Sequence, residues 1–171
     1  MAPIGTANAS RSWVFRTVLA GVVLLALALR LYGLSDESLW LDELATVRTY
    51  SLPLKPLIVQ SAEVGQPPFD NLIGAALDRA GLADSDWWVR FPSALFGTGC
   101  VFAVGLWMAE VAGAVVGITS ALVLAVCPIH VYLSQEARPY MSFFFFALAE
   151  SGWAGFDSCA FWFFGLLFSQ V

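Results

Sequence analysis

Residues 67–82, PPFDNLIGAALDRAGL, decide how often this chain crosses a membrane and which of its charged clusters share a side. Phe69, Leu72, Ile73, Ala76, Leu77 and Ala80 recur at i, i+3, i+4 spacing, with Asp70, Asn71, Asp78 and Arg79 on the other face. Pro67 and Pro68 suit a helix start and Gly81 its end. A helix with a charged face lies on a bilayer at lower cost than it crosses one, so an interfacial helix is expected. The next two spans then run inward and outward, and the polar segments on either side of them surface on the same face. A crossing helix would put those segments on opposite faces.

The bilayer itself follows from composition. Of 171 residues, 59% are hydrophobic and only 12% charged, too little polar surface for a soluble domain of this size. The formal charge of −5 argues against nucleic acid as a partner. Cys100, Cys127 and Cys159 sit in apolar runs without CxxC spacing and read as buried free thiols.

Upstream, the apolar run Val18 to Leu29 follows Arg11 and Arg16 and precedes Arg30. No small-residue cleavage site follows it, so it reads as an uncleaved anchor, with Arg30 and Tyr32 snorkelling to the far interface. The resulting expectation is an all-α integral membrane protein of about four transmembrane helices. It has a cytoplasmic tail at 1–12, helix 1 at 13–34, an extracytoplasmic loop with amphipathic helices at 35–87, and helices 2 and 3 at 88–111 and 112–133. A motif at 134–140 and a fourth-helix region at 141–171, interrupted from Glu150 to Ser158, complete it. In the long loop, Leu39 to Tyr50 reads as a short helix with Ser38 as N-cap. In helix 3, Gly113, Gly117 and Ala121 form a small-residue stripe that lets another helix approach. The tail has Arg11 and Arg16 and no acid, whereas the long acidic loop has only Arg48, Lys55 and Arg79 as bases, and this Lys/Arg bias puts the tail inside and the loop outside.

Two clusters carry potential chemistry. Ser38 to Thr46, SLWLDELAT, sets Asp42 and Glu43 among leucines and a tryptophan. They read either as a general base kept in use by a nearby cation or as solvated acids near a helix start. Ser134 to Tyr140, SQEARPY, offers the forked donors of Arg138 for a phosphate, with Gln135 and Tyr140 as neutral donors. Glu136 reads as support for that guanidinium or as a carboxylate for an acceptor, and Pro139 holds Arg138 out of helical geometry. The alternative is an interfacial anchor with no ligand. His130 reads as a structural hydrogen-bonding group.

Arg30-Leu-Tyr-Gly-Leu34, Ser38-Leu-Trp-Leu-Asp-Glu43, Gln66-Pro-Pro-Phe69, Arg90-Phe-Pro-Ser-Ala-Leu-Phe-Gly97, Pro128-Ile-His-Val-Tyr132 and Ser134-Gln-Glu-Ala-Arg-Pro-Tyr140 follow in that order. Over roughly residues 13 to 148 this set resembles the N-terminal part of bacterial polyprenyl-phosphate-sugar-dependent glycosyltransferases of the GT-C class, relatives of the protein O-mannosyltransferases. The resemblance implies an inverting transferase in the cell membrane, acting on the extracytoplasmic side, on a polyprenyl-phosphate sugar and a lipid, glycan or protein acceptor. It implies catalytic roles for Asp42 and Glu43 and a donor-phosphate role for Arg138. No cofactor is required, although a divalent cation is compatible with the carboxylates, and no metal ligand is assigned. The chain departs from the family pattern at Gln66, where histidine or lysine is usual, in the arginine-free turn Glu110 to Gly113, and after Glu150. Those departures and the length admit a fragment, or a small helical membrane protein without catalysis; a transporter ranks last because the charges lie at span edges.

Overall fold

The computed structural model describes residues 5–63 and 68–154, and every regular element among them is an α-helix. In chain order these are α1 (Gly5–Leu31), α2 (Leu41–Tyr50), α3 (Leu54–Glu63), α4 (Pro68–Arg79), α5 (Asp86–Ala112), α6 (Ala114–Val126), α7 (Pro128–Ser134) and α8 (Tyr140–Ala154). Among the described residues two helices, Trp13–Leu31 and Asp86–Ala112, are long and apolar enough to cross a membrane. The first helix begins at Gly5, so most of the expected tail is helical, and it stops at Leu31 rather than 34.

The third expected span is not one straight helix. α6 and α7 meet at an angle of 64°. Pro128 has no N–H to donate and crowds the preceding turn, and Cys127 before it takes an extended conformation, φ −64° and ψ 116°. Together the bent pair is apolar enough to form a third span. α8 has 15 residues, and the rest of the expected fourth-helix region, 155–171, lies outside the described residues.

The bundle closes where side chains are small. Leu19, Val22 and Ala26 of α1, Val101 of α5 and Ala121 and Ala125 of α6 form its buried core. A Cβ on Gly117 would meet the Gly105 carbonyl at 2.5 Å and the Ala109 Cβ at 2.6 Å, so α5 and α6 touch backbone to backbone there. Gly117 and Ala121 of the expected stripe make that contact. Gly113 instead turns the chain, with φ 95°.

α2, α3 and α4 pack at one end of this bundle. Twelve residues of α4 rise roughly 18 Å, too short for a hydrocarbon core of about 30 Å. Its C-terminus closes as expected at Gly81, φ 71°, with Leu82 N–H on the Leu77 carbonyl and Gly81 N–H on that of Asp78, both at 2.9 Å. The face that α4 buries only partly overlaps the one its periodicity marks, with Leu72, Ile73 and Leu77 half-buried. Asn71, Gly74 and Ala75 are buried, while Phe69 and Ala76 are exposed. Asn71 donates to Ser61 Oγ at 2.8 Å, and the ring of Tyr50 lies directly on Gly74. Phe69 joins α4 to Phe96 of α5 and Phe146 of α8 through edge-on ring contacts at 6.0 and 5.1 Å.

Arg30 does not snorkel. Its side chain is 0% exposed and turns into the bundle at the α6–α7 bend. It donates to the carbonyls of Ala26 (2.8 Å) and Ala125 (3.4 Å) and to Ser134 Oγ (3.3 Å). Its Nη2 lies 2.7 Å from His130 Nδ1. The bend supplies the acceptors: the C-terminal carbonyls of α6 carry the negative end of the helix dipole, which favours a cation. Because a guanidinium only donates, Nδ1 of His130 must accept and its proton sits on Nε2.

Candidate functional site

The first half of the site is the start of α2. Ser38 does not cap this helix; the N-cap is Trp40, whose backbone N–H donates to Glu43 Oε2 at 3.1 Å. Glu43 therefore points back over its own helix start, and its side chain is 2% exposed. Arg90 of α5 grips both of its oxygens, Nε on Oε1 at 3.0 Å and Nη2 on Oε2 at 2.7 Å. The remaining Arg90 donors reach the carbonyls of Leu34 (3.0 Å), Glu37 (2.8 Å) and Ser38 (3.4 Å), fixing the turn between α1 and α2. Burial alone would raise the Glu43 pKa. The hydrogen bonds from Arg90, Ala137 and Trp40, with the Arg90 charge, outweigh it and hold the carboxyl below its usual range.

The second half is the segment after α7. Ala137 N–H donates to Glu43 Oε1 at 2.7 Å, Arg138 N–H to the Glu136 carbonyl at 2.8 Å, and Ser93 Oγ to the Arg138 carbonyl at 3.3 Å. Pro139 keeps Arg138 out of a helix, as its position predicts, and α8 starts one residue later. The two halves are thus joined by Glu43.

This places Asp42 and Arg138 together. Asp42 Oδ2 lies 3.8 Å from Arg138 Nη2, with the aspartate 79% exposed and the arginine side chain 20% exposed. An open pair at that distance contributes about 0–1 kcal/mol, so its interest lies in placement rather than stability. Arg138 Nη2 also donates to the Tyr140 hydroxyl at 3.4 Å, and its Cζ stands 5.6 Å from the Tyr140 ring centre. The Tyr140 hydroxyl bond, opposed by partial burial and helped by Asp42 and Glu136, holds the guanidinium even more firmly protonated.

Two expected site residues are occupied by the fold. Glu43 has both oxygens engaged and acts as a joint. Gln135, expected at the donor phosphate, donates its amide to the carbonyls of Leu29 (3.4 Å), Arg30 (3.2 Å) and Tyr32 (2.8 Å), capping the end of α1. Those carbonyls have no partner within the helix, and the amide that follows α7 is the nearest donor. Glu136 is partly buried, in the same segment as Arg138. Among the described residues no group of three or more His, Cys, Asp or Glu side chains is arranged to hold a metal ion. Gln66 lies outside the described residues.

Beneath Arg138 is a cavity of about 20 Å³ with walls from α2, α4, α5 and the motif, among them Tyr50, Asp70, Ser93 and Arg138. Sequence reading did not single out Arg90, Tyr50, Asp70 or Ser142 for any role. Asp70 Oδ2 accepts a hydrogen bond from Ser142 Oγ of α8 at 2.6 Å. Burial raises the Asp70 pKa, with Ser142 and the aspartate's own N–H only partly offsetting it. No family, curated protein or solved structure matches this chain.

Proposed function

We propose that this chain is a membrane glycosyltransferase of GT-C type, or the N-terminal part of one, that transfers a hexosyl or pentosyl group from a polyprenyl-phosphate carrier with inversion. The observation that carries this reading is the approach of Asp42 to Arg138, an acid from the first outer loop and a guanidinium from beyond the third span. The ordered motifs described above supply the reaction class. Transfer forms a bond from an acceptor hydroxyl oxygen to the anomeric carbon as the bond from that carbon to the carrier phosphate breaks. The departing phosphate takes the electron pair, and Arg138, two-pronged and partly open, is suited to receive its charge. A carboxylate from the outer loop takes the hydroxyl proton. With the arginine-bearing tail inside and three crossings before the motif, this chemistry lies on the extracytoplasmic face of the cell membrane in this reading.

The test is sugar transfer by the full-length protein, with Arg138→Ala and Asp42→Asn beside the wild type. Loss of about two orders of magnitude in Arg138→Ala is expected from removing a charged phosphate contact. Wild-type rates in both variants would remove the mechanism. A second reading, a small helical membrane protein without catalysis, is favoured by one observation: Glu43 and Gln135 are already engaged in holding the fold. It expects no turnover from any variant and no change in donor binding.

A further inference from the structure

One flank of the bundle stays open, well away from the Asp42–Arg138 pair. Val104 of α5, Ser120, Val123 and Leu124 of α6, Cys127 at the bend and Phe144 of α8 line a groove of about 420 Å³ there. That is the size of a small-ligand pocket, about 300–1,000 Å³. Its walls belong to α5 and to the bent third span, and they are mostly apolar. Val123 stands 68% exposed. Two hydroxyls interrupt the apolar lining. Thr119 turns its own to the carbonyls of Val115 and Val116, both at 3.0 Å. Ser120 Oγ has no hydrogen-bond partner among the described residues, a cost on a helix at membrane depth.

We infer that residues 159–168, CAFWFFGLLF, fill this groove from within the same chain, with the Trp162 indole N–H donating to Ser120 Oγ. The inference does not depend on the glycosyl-transfer reading. Filled in this way, the flank formed by α5, α6 and α8 is closed by the chain's own C-terminal run. It is then not a docking face for a helix of another protein.

The run is tethered beside the groove. α8 lends Phe144 to the lining and ends at Ala154, and residues 155–171 follow. From Phe144 to Ala154 a helix rises about 15 Å. The ten residues of the run cover about that distance even at helical rise, so they can return from the end of α8 to the level of Phe144. Gly155, Asp157 and Ser158, between the two, are turn formers, where a reversal costs least. The chemistry matches as well. The run carries no charge, and its aromatic and leucine side chains suit the apolar walls. An indole N–H taken out of water needs an acceptor, and Ser120 supplies one that a lipid chain would leave unpaired. A second copy is at a disadvantage, because a tethered run meets the groove at an effective concentration of about millimolar.

The experiment uses the 171-residue chain in native membranes. Cys127 already lines the groove, so Cys100→Ala with Cys159→Ala leaves it as the probe. A second cysteine is then moved one residue at a time through 160–168, a short membrane-permeant bis-maleimide is added, and mass spectrometry reads the links to Cys127. Links within one chain are expected at a subset of positions on one side of the run. Trp162→Phe keeps a ring and removes the N–H, and it should lower the yield by a few fold, as should Ser120→Ala, with no further loss when the two are combined. Trp162→Glu should lower the yield by about tenfold or more. Absence of links within the chain at every position overturns the inference. So do even links at every position that ignore Trp162, which are chance collisions. Links between chains assign the groove to a second copy, and labelling of the Val123 peptide by a diazirine phospholipid, equal in wild type and Trp162→Glu, assigns it to lipid; either result overturns the inference too.

Discussion

Glu43 Oε1 accepts the backbone N–H of Ala137 at 2.7 Å, joining residues 94 positions apart. The same carboxylate holds Arg90 and the start of its own helix. One side chain therefore couples the turn after α1, the first turn of α2, the middle span and the motif that carries Arg138.

Glu43→Gln should be among the most damaging single changes. It leaves the Arg90 guanidinium buried without a counter-charge, which costs about 3–5 kcal/mol. Thermal unfolding in detergent should show the loss. Replacing both partners, Glu43→Leu with Arg90→Met, should recover part of it, because no charge is then stranded, although the turn at Leu34 to Ser38 loses its donors. Equal stability of Glu43→Gln and wild type would show that the joint carries nothing.

The same carboxylate sets an acid limit. Its folded pKa lies below the unfolded value of about 4.3, so its stabilisation is complete above that value and is lost as pH falls through the depressed one. Melting temperature should drop on acidification below about pH 4, with a shallower slope in Glu43→Gln. Asp70 has the opposite sign. Its pKa is raised on folding, so ionisation opposes folding as pH rises past the ordinary carboxylate value. Asp70→Asn should therefore raise the melting temperature at neutral pH. A lower melting temperature would show that the Ser142 bond to the carboxylate outweighs the cost of burying it.

Gly74 tests packing against propensity. Alanine is favoured over glycine in a helix by about 1 kcal/mol. At this position its Cβ would fall on the buried ring of Tyr50, at the end of α2, which would have to shift. Overpacking typically costs 1–3 kcal/mol, so Gly74→Ala should destabilise. In a Tyr50→Ala background the same change should stabilise. Unfolding midpoints of the four-member cycle decide it, and an unchanged sign in both backgrounds removes the contact as the cause.

How much of this was legible depends on which force left a mark in the sequence. The long apolar runs give α1 and α5 directly, and Gly81 and the charged face of α4 give an interfacial helix with its end. α3 is not singled out within the long loop: Pro56 falls in its first turn, where proline is tolerated but gives no helix signal of its own. The bend at Cys127–Pro128 was written plainly, but the apolar run masked it. In the site, Asp42 and Arg138 were readable as motif residues. The partners of Glu43 were not, because a buried ion pair between α2 and α5 has no sequence period. Arg30 was misplaced because snorkelling is the default for a terminal arginine, and only the distant bend supplies its acceptors.

Arg30 should not tolerate lysine. Four acceptors in three directions match the guanidinium fork, and an ammonium reaches fewer of them. Each buried acceptor left unpaired costs about 1–3 kcal/mol. Arg30→Lys should lower the melting temperature clearly, and less so in a His130→Phe background, where one acceptor is removed with its partner. Additive losses would separate the two residues energetically.

Shared placement of the two clusters has a direct test in cells. Leu41 beside Asp42 is 85% exposed, Tyr140 beside Arg138 is 45% exposed, and Val111 at the turn between α5 and α6 is 61% exposed. Single cysteines at these positions, in a chain with Cys100, Cys127 and Cys159 replaced, report their side through an impermeant maleimide. The proposed arrangement expects labelling at 41 and 140 in intact cells and at 111 only after permeabilisation. The reverse pattern keeps the pair together but turns the site towards the cytoplasm, where arginines at 11 and 16 argue it should not be. Labelling at 41 without 140 is the damaging result, because the 3.8 Å approach of Asp42 to Arg138 requires both at one end of the bundle.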